Sequence, residues 1–467
     1  MVERGNDFMS RIYKVILCTA IVSIPFISSV KGIESLGGLG KQLAVYPLLV
    51  GLLIWGIGKI LRRGTVVLPN GRSGKCLLLF IVCILISGVV NFFDILGLHY
   101  QGEIGIGRYI IQTGSFIVYV LFSMMIFNII VDYKNKINLL QKCIYVSFFI
   151  AGIYSLFEVA AFIQFDVSFW ILSSVDNIFR KDAMELFSIG RVRSVTAEPS
   201  YFGMYAGMVL PWLVIGWINT TKHKFLWGII NVYFWLLVVL TFSRTAYVMT
   251  GIEMILIVFM FRKEIGDKYK RVIIPGLIMM GVMSYFSIEL EATHPIDVGE
   301  VIVSLLDDSG ENLSNVARYG SQMAAYKMFL DNPFFGNGFG LYGFYASDYY
   351  PTEAWRSVEI MEWGSNSVGN SWPPVHGLYA RLLAETGIFG LVSWIAFFYY
   401  LIKELWLKLK ETQEGKRRMQ VKALFVSLTA CVLCGGNVDA FTVLGMWIFI
   451  AFSWSIVSVN RYKDISE

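Results

Sequence analysis

The sequence predicts an all-α polytopic membrane protein. Of its 467 residues 56% are hydrophobic and 16% are charged, whereas soluble domains carry about 25% charged residues. Apolar runs close to the roughly 20 residues needed to cross a bilayer recur along the chain. One long polar segment, residues 291–386, interrupts them. These observations predict about twelve transmembrane helices, with a large outer loop or lid between helices 9 and 10.

The predicted spans are apolar runs bounded by charged or turn-forming residues. In chain order they lie near residues 12–30, 43–61, 76–95, 109–131, 143–164, 200–218, 225–241, 245–261, 273–290, 387–402, 421–436 and 441–459. The first run is interpreted as a retained span, because no small-residue cleavage site follows it ahead of a soluble domain. The six cysteines lie in or beside these runs, which favours small buried side chains over disulfides or metal ligands.

Three parts of the chain are distinguished by their composition. Residues 1–290 carry predicted helices 1–9 and an outer loop at 165–199, residues 291–386 form the large loop with amphipathic helices, and residues 387–467 carry helices 10–12 and a tail. If the N-terminus is cytoplasmic, most of the 39 Lys and Arg residues fall on the cytoplasmic side, as the positive-inside rule requires. Both termini are therefore predicted in the cytoplasm and both long loops outside.

Several function classes are disfavoured by what the sequence lacks. The inner loops are short, and no G-x-x-x-x-G-K-[ST] phosphate loop occurs, so an ATP-driven machine is not predicted. No clear internal repeat supports a secondary transporter, and no D-x-D triplet outside the spans supports a metal–diphosphate site. Glu158 and Glu253 fall within predicted spans. Each is a candidate for function or for helix packing.

Arginines on the outer side are candidates for binding phosphate. In the large loop, acidic residues far outnumber the basic ones. One of the basic residues is Arg318, which lies on a helix predicted from Ser314 to Leu330. The planar guanidinium fork suits phosphate oxygens, and a surface ion pair is the alternative. Arg191 and Arg193 point the same way if their segment is extended, just above the membrane. Arg244 occupies a very short outer turn. Anchoring of a helix end at the interface is the alternative for these three.

His376 is the candidate proton acceptor of the large loop. It follows two prolines and precedes a helical pattern that Gly387 is positioned to end. A helix N-terminus favours the neutral imidazole, and a neutral imidazole can accept a proton. A purely structural histidine is the alternative. The glycines between Gly336 and Gly340 have no preceding strand and no following Lys, so they are interpreted as a tight loop whose backbone approaches a ligand or another helix.

Together these stretches resemble the O-antigen polymerase and ligase superfamily, which includes Wzy-type polymerases and lipopolysaccharide ligases. The resemblance is carried by Arg191 to Ser200 with its Glu-Pro-Ser, Ser243-Arg244-Thr-Ala, Arg318 to Gly340 with Asn-Pro-Phe-Phe-Gly-x-Gly, and His376 to Gly390 with His-x-x-Tyr-x-x-Leu-Leu-Ala-Glu-Thr-Gly-x-x-Gly. Family members usually have Asn after that histidine, where this chain has Gly377.

The resemblance implies a metal-independent, inverting glycosyltransferase without a cofactor, at the outer face of the bacterial inner membrane. Its donor and acceptor would be undecaprenyl-diphosphate-linked oligosaccharides, a chain-length regulator in the same membrane would be its protein partner, and no nucleic acid is implied. His376 would be the base or would orient the acceptor, and Glu198 would orient an arginine or replace the base. The residues expected to bind the diphosphate are Arg191, Arg193, Arg244 and Arg318. Glu-Pro-Ser favours a polymerase of O-antigen or a related polysaccharide; a ligase acting on lipid A-core and a lipid-linked oligosaccharide transporter are the alternatives.

Overall fold

The computed structural model describes residues 2–27, 38–61, 63–162, 165–179, 191–265, 313–369, 371–436, 438–439 and 441–458. Nearly all regular structure in these ranges is helical, so the predicted all-α class is confirmed. The helices are α1 (Val2–Val22), α2 (Val45–Leu61), α3 (Arg72–Val90), α4 (Phe92–Gly97), α5 (Gly105–Ile130), α6 (Lys136–Phe162), α7 (Asp166–Phe179), α8 (Pro199–Asn219), α9 (Lys224–Leu240), α10 (Arg244–Ile265), α11 (Leu313–Asp331), α12 (Tyr342–Tyr349), α13 (Val358–Gly364), α14 (Leu378–Glu411), α15 (Lys416–Cys434) and α16 (Leu444–Val457). A short 3₁₀ helix spans Thr352–Arg356, and a two-stranded antiparallel hairpin pairs β1 (His99–Tyr100) with β2 (Glu103–Ile104).

Within the described ranges six helices are long and apolar enough to cross a membrane. They are Arg72–Val90, Gly105–Ile130, Lys136–Phe162, Pro199–Asn219, Thr245–Glu264 and Leu378–Glu411, and α2, α9 and α16 are shorter but apolar. Each predicted span overlaps a helix, except 273–290, which lies outside the described residues. The chain is therefore a multi-pass membrane protein.

An aromatic cluster fills the centre of the bundle and joins α5, α14 and α16. Phe116, Trp394 and Trp447 are each no more than 1% exposed. Phe441 packs edge-on against both Phe116 and Trp394, with ring centroids 5.1 Å apart in each pair. Edge-to-face pairs of this kind stabilise beyond the area they bury. The cluster therefore fixes three helices relative to one another.

We call the end of the bundle where α5, α8, α14 and α16 begin the loop face. The hairpin before α5 is tied there to the segment 313–377, because the Tyr100 hydroxyl donates to the Trp363 carbonyl at 2.7 Å. That segment has its own small core, into which α11 turns one face. Its buried members are Ala317, Ala324, Ala325, Met328, Tyr342, Ala346, Tyr350, Ala354, Ile360, Trp363, Val375 and Ala384. The helix predicted from Ser314 to Leu330 is thus confirmed as α11, with bounds one residue wider at each end.

Helix α14 is broken at Gly387, as the sequence predicts. This residue has φ 64° and ψ −165° inside an otherwise continuous helix, so the carbonyls just before it lose their helical partners. Backbone amides of the glycine-rich turn, residues 333–340, replace those partners: Asn337 N donates to Ala384 O (2.9 Å) and Gly338 N to Glu385 O (3.1 Å). In the other direction, Ile388 N donates to Pro333 O of the turn (2.8 Å).

This pairing requires the two backbones to lie in direct contact. A Cβ at Gly387 would lie 2.3 Å from the Phe334 carbonyl oxygen, and one at Gly336 would lie 2.4 Å from the Glu385 carbonyl carbon. Both glycines have φ 64°, a conformation that glycine adopts without steric cost. Of the two roles predicted for the tight loop, the structure shows close approach to another helix.

Candidate functional site

His376 lies two residues before the first turn of α14, with Gly377 as the N-cap. Its φ of 58° is left-handed, which is uncommon for a residue other than glycine although histidine adopts it more often than most. Hydrogen bonds fix the backbone on both sides: Val375 N donates to Asp439 Oδ2 (2.6 Å), Gln322 Nε2 to His376 O (2.9 Å) and Leu378 N to Gly435 O (2.8 Å). A strained residue held by its surroundings is a pattern found at functional sites.

The imidazole of His376 presents an unpaired nitrogen. Its Nε2 is buried and has no hydrogen-bond partner among the described residues, and its ring lies 5.5 Å from that of Trp363. Burial lowers the pKa of His376; the carboxylate of Asp439 opposes this effect, and the charge of Arg318 adds to it. A neutral imidazole at pH 7 follows, and it can accept a proton. The predicted direction is supported, but burial rather than the helix terminus is the main cause.

Arg381 binds Asp439, which in turn holds the backbone next to His376. The Arg381 side chain is 13% exposed and is fully engaged: Nε lies 3.0 Å from Glu385 Oε2, Nη1 donates to Asp439 O at 2.7 Å, and Nη2 to Gln112 Oε1 at 3.3 Å. Asp439 in turn holds the amide next to His376. The sequence analysis gave neither residue a role. Their signal is a charged side chain at the edge of an apolar run, where burial requires a partner.

Arg318 and Glu198 belong to the same charged region as His376. Arg318 is exposed on α11, and its charge acts on His376 and on Glu359. Burial raises the pKa of Glu359; Arg318 opposes that shift, while the carboxylate of Glu198 contributes to it. The charges of Glu198 and Asp439 also both act on Tyr201, near the start of α8. These charge effects link Arg318 to His376, and both Arg318 and Glu198 to Glu359, although the residues come from distant parts of the sequence.

Arg191 and Arg193 make contacts within the protein. Arg191 donates from Nε to Thr241 O (2.9 Å) and from Nη2 to Phe242 O (2.8 Å), which satisfies carbonyls at the end of α9. Arg193 is 4% exposed, with Nη2 3.7 Å from the buried Asp176 carboxylate. The sequence predicts that Arg193 points towards lipid head groups, but its buried guanidinium faces that carboxylate. Anchoring of a helix end describes Arg191.

The segment carrying these arginines is fixed so that Glu198 stands at the N-cap of α8. Ser194 N donates to Glu158 Oε2 at 2.8 Å, and Thr196 Oγ1 donates to Glu198 O at 2.9 Å. The intramembrane Glu158 therefore has a structural role.

Neither carboxylate oxygen of Glu253 has a hydrogen-bond partner in the part of the chain that the structure describes. Arg244 begins α10, and its side chain lies outside the described part of the structure.

Arg108 is a further cation of the loop face that sequence reasoning did not single out. Its guanidinium carbon lies 3.4 Å from the ring centroid of Trp372, a cation–π stack. The charges of Arg381 and Glu385 act on it, and within the described ranges its Nε is buried without a hydrogen-bond partner. Its signal in the sequence is a lone outer arginine at the start of a span.

The helices define a multi-pass α-helical membrane protein, and the candidate site around His376 lies at the loop face of its bundle. Residues 229–395 match the family model Wzy_C, described as O-antigen ligase. This stretch contains Arg244, Arg318 and His376, so the predicted resemblance to the O-antigen polymerase and ligase superfamily is confirmed there. The match supports a function in lipid-linked glycan transfer. No curated protein matches the chain.

Proposed function

We propose that this protein is a lipid-linked glycan polymerase. It transfers a growing oligosaccharide from undecaprenyl diphosphate to a sugar hydroxyl of the next lipid-linked repeat unit, as in the synthesis of O-antigen or a related polysaccharide. The reaction takes place at the outer face of the bacterial inner membrane, towards which the loop face is directed, while both termini lie in the cytoplasm. A chain-length regulator protein in the same membrane is the proposed partner.

The proposed chemistry is a single displacement with inversion. The acceptor hydroxyl oxygen attacks the anomeric carbon of the donor, the bond from that carbon to the diphosphate oxygen breaks, and the hydroxyl proton passes to Nε2 of His376. Positioned proton transfer of this kind contributes roughly 10²- to 10⁴-fold. The diphosphate leaves with its negative charge, which arginine side chains stabilise without a metal ion.

The observation that supports this proposal best is the unpaired, buried Nε2 of His376. A buried polar atom without a partner is unfavourable, so it is expected to be satisfied by a ligand. The nitrogen belongs to an imidazole whose pKa is lowered, and the positive charge of Arg318 contributes to that lowering. Glu198 is the alternative base, since it lies in the same charged region.

For the diphosphate we propose Arg318 and Arg244 first. Arg318 is exposed on α11, and Arg244 stands at the start of α10. Arg191 and Arg193 are the weaker candidates, because both guanidinium groups already have partners within the fold. A phosphate would have to displace those contacts.

The test is transfer from purified lipid-linked donor to lipid-linked acceptor by the protein in liposomes, with and without EDTA. We expect glycans of two or more repeat units, with the anomeric configuration inverted, at the same rate in both conditions. Loss of transfer in EDTA contradicts the metal-independent chemistry. Retention of configuration contradicts the single displacement.

A ligase is the second candidate, because the matching family model is described as O-antigen ligase. A ligase transfers finished glycan to lipid A-core instead of extending a lipid-linked chain. A deletion strain separates the two. Lipid A-core capped with a single repeat unit identifies the polymerase, whereas uncapped core together with accumulated lipid-linked polymer identifies the ligase.

A further inference from the structure

A cavity of about 290 Å³ opens at the loop face, with Glu198 in its lining. Its walls come from residues 24–27 after α1, residues 38–42 before α2, residues 196–208 around the start of α8 and residues 442–445 at the start of α16. The polar residues of its lining include Lys41, Gln42, Glu198 and Thr442, and the apolar ones include Met204 and Leu444. The cavity is therefore amphipathic, with carboxylate, amide, hydroxyl and ammonium groups within a small space.

Gln42 marks this cavity as a built site. Its side chain is 6% exposed, and Nε2 donates to the Tyr119 hydroxyl at 3.0 Å. The other end of the amide, Oε1, is buried and has no hydrogen-bond partner within the described residues. Buried polar groups in proteins are nearly always paired, and Gln42 lines the cavity, so a ligand with a hydrogen-bond donor is the expected partner of this oxygen.

Two residues of the cavity lining are also linked by charge to the region around His376. Glu198 and Tyr201 both line it. The charge of Glu198 acts on Glu359, and the carboxylate of Asp439, which holds the backbone beside His376, acts on Tyr201. A ligand in the cavity therefore lies against Glu198, the alternative base.

The chemistry of the lining selects the class of ligand. Glu198 and Gln42 Oε1 are hydrogen-bond acceptors, which pair with hydroxyl donors. The carboxylate of Glu198 offsets the ammonium of Lys41, so the described lining residues carry no net positive charge that would favour phosphate. Tyrosine and methionine side chains provide apolar surface of the kind that the C–H face of a sugar ring contacts. Small-molecule sites measure roughly 300–1,000 Å³, so this volume suits a small polar ring and is too small to enclose a polyprenyl chain.

We infer that this cavity is a saccharide pocket that takes one pyranose ring of a lipid-linked glycan, with Gln42 Oε1 and Glu198 accepting hydrogen bonds from its hydroxyls. The inference rests on the proposed function for the nature of the substrate. It assigns the binding role to residues outside the histidine and arginine set.

The test is direct binding of simple sugars to the full chain in a detergent without a sugar head group. The probes are methyl glucoside, methyl galactoside, methyl rhamnoside and N-acetylglucosamine, measured by saturation-transfer NMR, with glycerol as the non-specific polyol. We expect at least one pyranoside to bind and glycerol not to bind. Gln42→Leu removes the acceptor and is expected to weaken binding about fivefold to tenfold, the effect of one hydrogen bond.

Tyr119→Phe is the matched control. It removes the partner of Gln42 Nε2 but does not line the cavity, so binding should persist. Thr442→Val is a second, nearly isosteric variant of the lining, and it is decisive if Gln42→Leu does not fold. Absence of pyranoside binding, or binding unchanged in every folded variant of the lining, overturns the inference.

Binding and transfer can fail separately. In His376→Gln we expect transfer to be lost and pyranoside binding to be retained. If His376→Gln still transfers while Gln42→Leu loses binding, the saccharide pocket stands and the role of His376 is wrong. If His376→Gln loses transfer while no pyranoside binds to the wild type, the catalytic proposal stands and the pocket is wrong.

Discussion

Substitution of Gly387 by Ala tests whether the contact between α14 and the glycine-rich turn holds the site together. With φ 64° and ψ −165°, Gly387 occupies a region that is essentially restricted to glycine, and another residue there costs about 1–3 kcal/mol. A Cβ would also lie 2.3 Å from the Phe334 carbonyl oxygen. The turn must then move, which breaks the 2.8 Å bond from Ile388 N to Pro333 O.

The effect of the lost hydrogen bond can be separated from the effect of backbone strain with a control glycine. Loss of a buried backbone hydrogen bond costs about 1–3 kcal/mol, so we expect Gly387→Ala to lower the free energy of unfolding by about 2–6 kcal/mol. Gly415 has φ 124° and ψ −167°, and no atom lies within 4 Å of its Cβ position. Gly415→Ala therefore carries the backbone strain alone, about 1–3 kcal/mol.

The measurement is unfolding of both variants in mixed micelles, followed by tryptophan fluorescence. We expect Gly387→Ala to be less stable than Gly415→Ala by about 1–3 kcal/mol and to lose glycan transfer, while Gly415→Ala retains it. Equal stabilities would refute the conclusion that close backbone contact, and not the conformation alone, requires glycine at position 387.

Three further substitutions separate chemistry from folding. Arg318→Ala should strongly reduce transfer without changing the free energy of unfolding, because Arg318 is exposed. Arg318→Lys should retain only part of the transfer, because the planar guanidinium fork is lost. Full transfer by the alanine variant would remove Arg318 from the site. Arg193→Ala should lower the free energy of unfolding by about 3–5 kcal/mol, because the buried Asp176 loses its cation; unchanged unfolding would contradict the structural assignment. Glu253→Gln should leave the unfolding free energy unchanged or raise it, because a buried carboxylate without a described partner is unfavourable; a folded variant without transfer would instead assign Glu253 a functional role.

Local sequence patterns were sufficient to predict where the helices lie along the chain. Apolar run length placed the helices, because a bilayer of fixed thickness sets the length of each span. The bounds of α11 and the break at Gly387 also followed from the sequence, since both depend on neighbouring residues. The aromatic cluster of Phe116, Trp394 and Trp447 could not be predicted, because its members meet only when three distant helices pack.

The candidate site was predictable in part for the same reason. His376 and Arg318 stand out as rare residue types in an otherwise different context, and the structure places them in one charged region. The contacts of Arg193 with Asp176, and of Arg381 with Asp439, depend on tertiary packing. An arginine paired with a distant acid has the same local sequence signature as one that awaits a phosphate. Sequence reasoning therefore could not distinguish these two cases for Arg193, and it overlooked Arg381.

The pH dependence of stability follows from the same histidine. Burial lowers the pKa of His376, so the folded protein binds the proton less readily than the unfolded chain, whose histidine has a pKa of about 6.5. The contribution of His376 to stability is therefore complete above that value and is lost as pH falls below it. Unfolding of His376→Gln should show a smaller loss of stability between pH 7 and pH 5 than the wild type.

The central claim is that His376 removes the proton from the acceptor hydroxyl. The most direct measurement is the rate of glycan transfer from purified lipid-linked donor across pH, for the wild type, His376→Gln and the control His99→Gln, an exposed histidine of the hairpin at the loop face. We expect the wild-type and control rates to fall together below a pH lower than about 6.5, and His376→Gln to be slower by about 10²- to 10⁴-fold without that acid limb. Turnover by His376→Gln close to the wild-type rate would contradict the claim and leave Glu198 as the candidate base.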